Sequence, residues 1–389
     1  MKILFYIAIS VIAVFVLFML HFLFTALTVK PERPERNEKY LHYAFLIPAR
    51  NEEKVIGELL RSIDKLDYPK DLYDVYVAIN GCTDKTEEIA LSNNARILDC
   101  DTKARTKGAV LEKIFGILKD HKEIDAYVIF DADSMPGKDY LKEVNTVMSE
   151  DIDVIQGKRT GLRPMRTWIA QCYELFYATL NVFFNIPGDQ KGKTASINGS
   201  GWTVRKSLID ELGFHPLTIT EDYEYDIIWT LNGKRIYYCD TALVYDRFTE
   251  DLRTSLVQRL RWTFGIVQCY RIYGKTLLKE AFRRRSASLL DLFFSTITPQ
   301  IVAVFMIAVL VLVINISPSY PFIVLLAVML LLFWIPVSVY ALVTVIANGD
   351  SVRKLKKGII FLPLFLITWL PVLVRCFFID ECRWTELRH

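Results

Sequence analysis

The sequence is poor in the residues that build metal clips and disulfide frameworks. Seven of its 389 residues are cysteine and five are histidine. Cys82, Cys100, Cys172, Cys239, Cys269, Cys376 and Cys382 are scattered, with no CxxC pair. That spacing excludes a zinc finger or ribbon and offers no disulfide scaffold. No repeat and no low-complexity tract is present, so a solenoid is not expected. Net charge is only +3, which gives no electrostatic reason to expect a nucleic-acid partner.

A second absence is local. Ile3 to Val29, Leu292 to Gly349 and Gly358 to Val374 contain no Asp, Glu, Lys or Arg. The chain is 52% hydrophobic yet 23% charged, and these runs separate the two characters. A membrane helix needs about 20 apolar residues. The first run then forms one span. The second forms two, broken at "SPSYP" (Ser317–Pro321), and the third forms one if it reaches about Phe378 with Arg375 snorkelling. About four spans are expected. The first run is longer than a signal-peptide core and passes into "KPERPERNEK", so a retained anchor is favoured over a cleaved signal. That basic segment, the region ending in "RRR" (Arg283–Arg285) and "RKLKK" (Arg353–Lys357) are separated by even numbers of spans. The positive-inside rule puts all three, and the large central region, in the cytoplasm of a plasma-membrane protein. The clustered basic residues would favour anionic lipid.

Between about Tyr40 and Arg247, strand and helix patterns alternate. "HYAFLIP", "DVYVAI", "ARILDC" and "AYVIFDAD" read as strands. "NEEKVIGELLRSIDKL" reads as an amphipathic helix with Val55, Ile56, Leu59, Leu60 and Ile63 on one face. "TDKTEEIALS", with Thr83 or Asp84 as N-cap, and "KGAVLEKIFGILKDH" read as the next helices. This order predicts a parallel sheet covered on both faces, with ligands at the carboxyl ends of the strands. Past Asp151 the pattern is less regular. "MRTWIAQCYELFYATLNVFF" reads as a long aromatic helix, and "RIYYC" and "ALVYDR" as two short strands.

Chemistry-bearing residues gather at the expected strand ends. Asp131 and Asp133, two apart after a buried strand, can share a cation such as Mg²⁺ that also bridges a diphosphate. Asp-rich turns after strands are also common. Asn80 can read a nucleobase edge, although "NG" is equally a turn signal. Lys107 opens a helix, a place where a cation and backbone amides meet phosphate, or where a lysine is merely solvated. "TITEDYEYD" packs Glu221, Asp222, Glu224 and Asp226 together. Asp222 suits a general base, while Glu224 and Asp226 suit the helix dipole.

"IPARNEE", "NGCTD", "DAD", "TED" and "QRLRW", in this order and followed by uncharged runs, resemble the membrane-integrated family 2 glycosyltransferases. These include cellulose, chitin, hyaluronan and poly-N-acetylglucosamine synthases. The resemblance covers roughly Tyr43 to Trp262. It implies an α/β GT-A fold at the cytoplasmic face, transfer with inversion from a nucleotide sugar, usually a UDP-sugar, and Mg²⁺ or Mn²⁺. Residue by residue it implies Asp222 as base with Glu221 beside it, and Asp131 and Asp133 on metal and diphosphate. Ala49, Glu52, Asn80, Lys107 and Arg261 would contact the nucleotide sugar. Asn80 departs from the aspartate the family commonly has. Gln258 and Trp262 would face the acceptor.

The domain expectation is an anchor at 1–30, the GT-A domain at 40–250, amphipathic interfacial helices at 251–288, and about three C-terminal spans at 289–380. A helical projection of 252–267 puts Leu252, Leu256, Leu260, Phe264 and Val267 on one side, and Gln258, Arg261 and Trp262 on the other. Arg259 falls to one side as a lipid contact. Extension of a polysaccharide is the expected activity, single transfer to a lipid acceptor the alternative, and an inactive transporter or scaffold the remaining rival. Ser295, Thr296, Thr298, Gln300 and Asn315 are few polar groups to line a channel, which speaks for a lipid acceptor or a partner subunit.

Overall fold

A computed structural model describes residues 39–100, 104, 106–148, 151–190, 192–300, 322–376 and 378–379. The first uncharged run, the "SPSYP" turn, Asn315 and the C-terminal tail lie outside these residues.

Eight strands form one sheet in the order β3-β2-β1-β4-β7-β6-β8-β5. β1 (Tyr43–Ala49), β2 (Tyr73–Asn80), β3 (Arg96–Cys100) and β4 (Ala126–Ile129) are mutually parallel, as their alternation with helices predicts. β1 alternates its side chains between two cores. Tyr43, Phe45 and Ile47 join the helices Ile56–Ile63 and Tyr140–Val147 on one face. Ala44 and Leu46 join the helices Lys107–Leu118 and Glu221–Leu231 on the other. The expected helix face Val55, Ile56, Leu59, Leu60 and Ile63 is buried throughout.

The far half of the sheet departs from the parallel expectation. β7 (Trp202–Arg205) runs antiparallel to both β4 and β6 (Val154–Gly161), and β5 (Ser134–Pro136) antiparallel to β8. "RIYYC" and "ALVYDR" are not two strands but one, β8 (Ile236–Asp246). The gap between them is a bulge: Cys239 pairs with Gly157 and Leu243 with Lys158, so three residues of β8 bow out. The N-cap expectation also shifts. The second helix starts at Thr86 after Lys85, and Asp84 Oδ1 accepts from Thr86 N at 3.0 Å.

The aromatic segment is a helix, Trp168–Thr179, continuing through a π-helical stretch, Leu180–Asn185. It packs against Ala341 and Val345 of the helix Phe322–Ala347 and Leu362 and Phe365 of the helix Lys356–Ile367. The fit is close: a Cβ on Gly358 would lie 2.9 Å from Gln171. Among the described residues, Lys356–Cys376 is the one helical stretch long and apolar enough to cross a membrane. It breaks at Thr368–Trp369 before resuming as Leu370–Cys376. The interfacial helices expected over 251–288 are in large part a single helix, Leu252–Arg284.

Candidate active site

The parallel strands deliver their carboxyl ends to one rim. Two of the loops leaving it are bolted together. Glu52 N donates to Thr86 Oγ1 at 2.8 Å, Thr83 N to Asn51 Oδ1 at 2.8 Å, and Glu53 N to Asp84 Oδ2 at 3.1 Å. Much of the polarity of "IPARNEE" and "NGCTD" is therefore loop scaffolding. Ala49 ends β1 fully buried in the core, and Glu52 stands half-buried beside it in the loop. Asn80 ends β2 at 1% exposure. Its Nδ2 donates to Ala104 O at 3.0 Å, and its buried Oδ1 has no partner among the described residues.

Lys107 is the hub of the charged centre. Its Nζ lies 2.7 Å from Asp131 Oδ1 and 3.6 Å from Glu221 Oε1, and donates to Gly199 O at 2.5 Å. Burial pulls the Lys107 ammonium down, but Asp131 and Glu221 overcome it and hold its pKa above the ordinary value. Burial also pushes Glu221 up to about 7 against the pull of Lys107, with the neighbouring Asp222 adding to the rise. Asp222 is likewise raised by burial, opposed by Lys107. Asp222 Oδ1 accepts from Tyr223 N at 2.8 Å. A Cβ built on Gly199 would lie 3.6 Å from Asp222 Oδ2 and 3.7 Å from Asp131 Oδ2. So the "DAD" strand end, the Lys107 helix and the "TED" helix do converge, around the loop 198–201.

That loop is the part the sequence reading missed. Gly199 and Gly201 take φ of +79° and +68°, which glycine alone adopts without cost. Buried Gln156 pins the loop, accepting from Asn198 N at 2.9 Å and donating to Ser200 O at 3.1 Å. Arg159, three residues along β6, donates to Asn198 O and, at 2.5 Å, to Asp246 Oδ2. Its guanidinium lies 4.4 Å from the Tyr177 ring centroid. The available signal was a Gly/Ser-rich stretch, "KGKTASINGSGWTVRK", and a strand, "VIQGKRTG", whose polar end is wrong for a buried interior strand but right for a site.

Glu224 falls in the first turn of the Glu221–Leu231 helix, as the dipole expectation has it, while Asp226 lies beyond that turn. Both are fully buried locks. Glu224 accepts from Leu217 N, Thr218 N and Tyr273 Oη, and Asp226 from Ile197 N at 2.8 Å and Ser196 Oγ at 2.5 Å. They clamp the two loops that flank Glu221 and Asp222.

The oxygen donors of Asp131 and Asp133 suit a hard divalent cation. Both side chains are half-buried, and among the described residues no group of three metal-ligating side chains forms. Two carboxylates leave the remaining positions to water and diphosphate oxygens, the usual arrangement for Mg²⁺ with phosphorylated substrates.

The long helix Leu252–Arg284 closes the site. Gly265 lies so near Thr220 that a Cβ would stand 2.3 Å from its Oγ1, and Gln268 Oε1 accepts from Ile219 N at 3.2 Å. "QRLRW" is thereby locked to "TED". Leu260, Phe264 and Val267 pack on Val372 and Cys376, so the apolar face meets the C-terminal helix. Trp262 stacks on Phe176 at 6.0 Å and meets Tyr173 edge-on at 5.9 Å, continuing an aromatic wall through Phe248 to Tyr177 under Arg159. Gln258 and Arg261 stand half-buried on the same helix. Arg259 is corrected. It is not a lipid contact but fully buried, donating to Phe365 O at 3.1 Å, Thr368 Oγ1 at 3.0 Å and Ser255 O at 3.3 Å.

The model of the family described as "Glycosyltransferase like family 2" matches residues 42–265. A β-monoglucosyldiacylglycerol synthase of Nostoc sp. is 25% identical over 260 residues, covering 62% of this chain and 52% of that protein. The UDP-forming cellulose synthase 1 catalytic subunit of Komagataeibacter xylinus is 25% identical over 218 residues, covering 53% of this chain and 28% of that one. The chain spans about half the length of the first of these relatives. A solved mannosyltransferase of Pyrobaculum calidifontis, in complex with GDP-Man and Mn²⁺, superposes over 97% of this chain and 100% of its own. Its TM-score is 0.66 and its identity 17%, a likeness of fold. With a family match across more than half its length, over the same segment that carries the converging carboxylates, the chain belongs to glycosyltransferase-like family 2.

Proposed function

We propose that this chain is a membrane-bound inverting glycosyltransferase that moves one sugar from a nucleoside-diphosphate sugar to a lipid acceptor. The observation that carries the transferase reading is the convergence of Asp131, Lys107, Glu221 and Asp222 on the loop around Gly199. The acceptor hydroxyl attacks the anomeric carbon opposite the diphosphate. Its oxygen bonds to that carbon as the carbon–diphosphate bond breaks, and Asp222 takes the proton. Lys107 and Arg261 meet the charge that develops on the departing diphosphate. Asp131 and Asp133 would hold a divalent cation, which when bound would supply further neutralisation of that charge.

Asn80 sets the base preference. One N–H of its amide donates to Ala104 O, which orients the unpartnered Oδ1 as its acceptor. An acceptor suits the ring N–H of uracil or guanine and opposes the bare ring nitrogen of cytosine or adenine.

The lipid acceptor is favoured over the polymer by the described helices. Thr296 and Thr298 spend their hydroxyls on Phe293 O and Phe294 O of their own helix, at 2.7 and 2.9 Å. Those two side chains contribute little to a polar channel. Similarity to the diacylglycerol-glucosylating relatives supports the same reading. Membranes containing the protein, given labelled nucleotide sugar, are expected to yield a single lipid-extractable product. A ladder of long, lipid-insoluble chains would overturn the lipid acceptor in favour of polymer synthesis.

A further inference from the structure

The second half of the long helix carries a face that the transfer chemistry leaves unused. One side, Cys269, Leu277 and Ala281, is buried with Ile227 of the Glu221–Leu231 helix and with Leu289 and Leu292. The opposite side, Arg271, Ile272, Lys275, Lys279 and Phe282, is exposed. Phe282 is 71% and Ile272 45% exposed. At 100° per residue these five side chains fall within about 100° of the helix circumference. The one acid on the helix, Glu280, lies off this face and pairs with Arg283 and Arg284. Arg271, Lys275, Lys279 and the capping Arg285 have no ion-pair partner among the described residues.

Cations interleaved with large exposed apolar groups suit neither bulk water nor hydrocarbon. They suit the headgroup layer, where aliphatic stems and rings enter the boundary and charges stay above it. The neighbouring aromatics mark the same depth. Tyr270 meets Phe293 at 6.5 Å, and Phe294, 47% exposed, follows it. There the long uncharged run begins, at Leu292.

We propose that this face binds anionic phospholipid headgroups, and that the bound headgroups set the position of the catalytic patch. The coupling is mechanical. Arg261 and Lys275 lie on one uninterrupted helix, about 21 Å apart at 1.5 Å per residue. The same helix is wedged against Thr220 through Gly265. The inference rests on the membrane-bound reading above, and its first readout requires no turnover.

The test uses the full chain in nanodiscs of phosphatidylcholine with or without phosphatidylglycerol. Native mass spectrometry counts the retained lipids, and transfer is assayed in parallel. Wild type is expected to retain phosphatidylglycerol preferentially, and K275Q/K279Q to retain it roughly twentyfold less, at a few-fold per surface lysine. The wild-type rate should rise several-fold with phosphatidylglycerol, while the variant, with unchanged nucleotide affinity, should not respond. Equal retention by both proteins overturns the site. Displacement of phosphatidylglycerol by inorganic phosphate alone overturns the lipid assignment in favour of a free anion. Lost retention with an unaltered rate response overturns the coupling. A protein that retains the lipid as expected but transfers no sugar keeps the site and refutes the transferase reading separately.

Discussion

Asp222→Asn is expected to abolish sugar transfer while nucleotide-sugar binding survives. The substitution keeps side-chain shape and keeps an oxygen for the Tyr223 N–H, 2.8 Å from Asp222 Oδ1, so the helix start stays in place. It removes a carboxylate whose second oxygen borders the gap at Gly199, beside Asp131 Oδ2. Burial raises the Asp222 pKa, which makes its carboxylate a stronger proton acceptor than a solvated aspartate. Loss of a general base costs about 10² to 10⁴ in rate. Steady-state turnover set beside nucleotide binding by calorimetry decides the matter. Near-normal turnover would remove Asp222 from the mechanism. Glu221→Gln should cost less, because the Glu221 carboxylate is spent on Lys107 at 3.6 Å.

Arg259→Lys is expected to be nearly as damaging as Arg259→Met. Arg259 is fully buried, with no carboxylate partner among the described residues, and such a charge is costly unless its donors are satisfied. The satisfaction comes from geometry. Three nitrogens reach three different oxygens, and the guanidinium lies 4.2 Å from the Phe365 ring centroid and 5.0 Å from that of Trp369. A lysine ammonium cannot span Phe365 O and Thr368 Oγ1 while stacking on two rings. Thr263, one turn along, accepts from Trp369 Nε1 at 3.1 Å, so the long helix grips both residues of the break in Lys356–Cys376. Loss of charge-assisted bonds at a buried site costs about 1.5–3 kcal/mol each. The melting temperature should fall by several degrees. Acceptor kcat/KM should fall by at least about tenfold, a modest share of what a 1 Å displacement can cost, with donor affinity retained. A wild-type profile for Arg259→Lys would show that the break needs no fixed clamp.

The parts of the fold legible in the sequence were those where periodicity and burial agree. β1, β2 and β4 are apolar runs covered on both faces, and their ends announced Asn80 and Asp131. β6 escaped notice because its second half, Lys158 to Gly161, supplies Arg159 to the site and so lacks a buried strand's pattern. β8 was divided because a bulge leaves the same polar gap in sequence as a turn does. Arg259 was misplaced for a more general reason. A helical projection ranks faces by polarity, whereas the partner of this arginine is a helix break more than a hundred residues away, visible only in three dimensions. The two acids of "TED", Glu221 and Asp222, could be named from the motif, but the separate roles of Glu224 and Asp226 depend on the loops they cap.

The central claim is glycosyl transfer from an activated nucleotide at the rim of this sheet. It is tested most directly by presenting the purified, membrane-reconstituted chain with a panel of nucleoside-diphosphate sugars and Mg²⁺ or Mn²⁺, and measuring nucleoside diphosphate release against sugar appearing in lipid. The account predicts that a uridine or guanosine diphosphate sugar is consumed with one diphosphate released per sugar transferred. Release from none of the panel, in a protein that binds these nucleotides and remains folded, would contradict it.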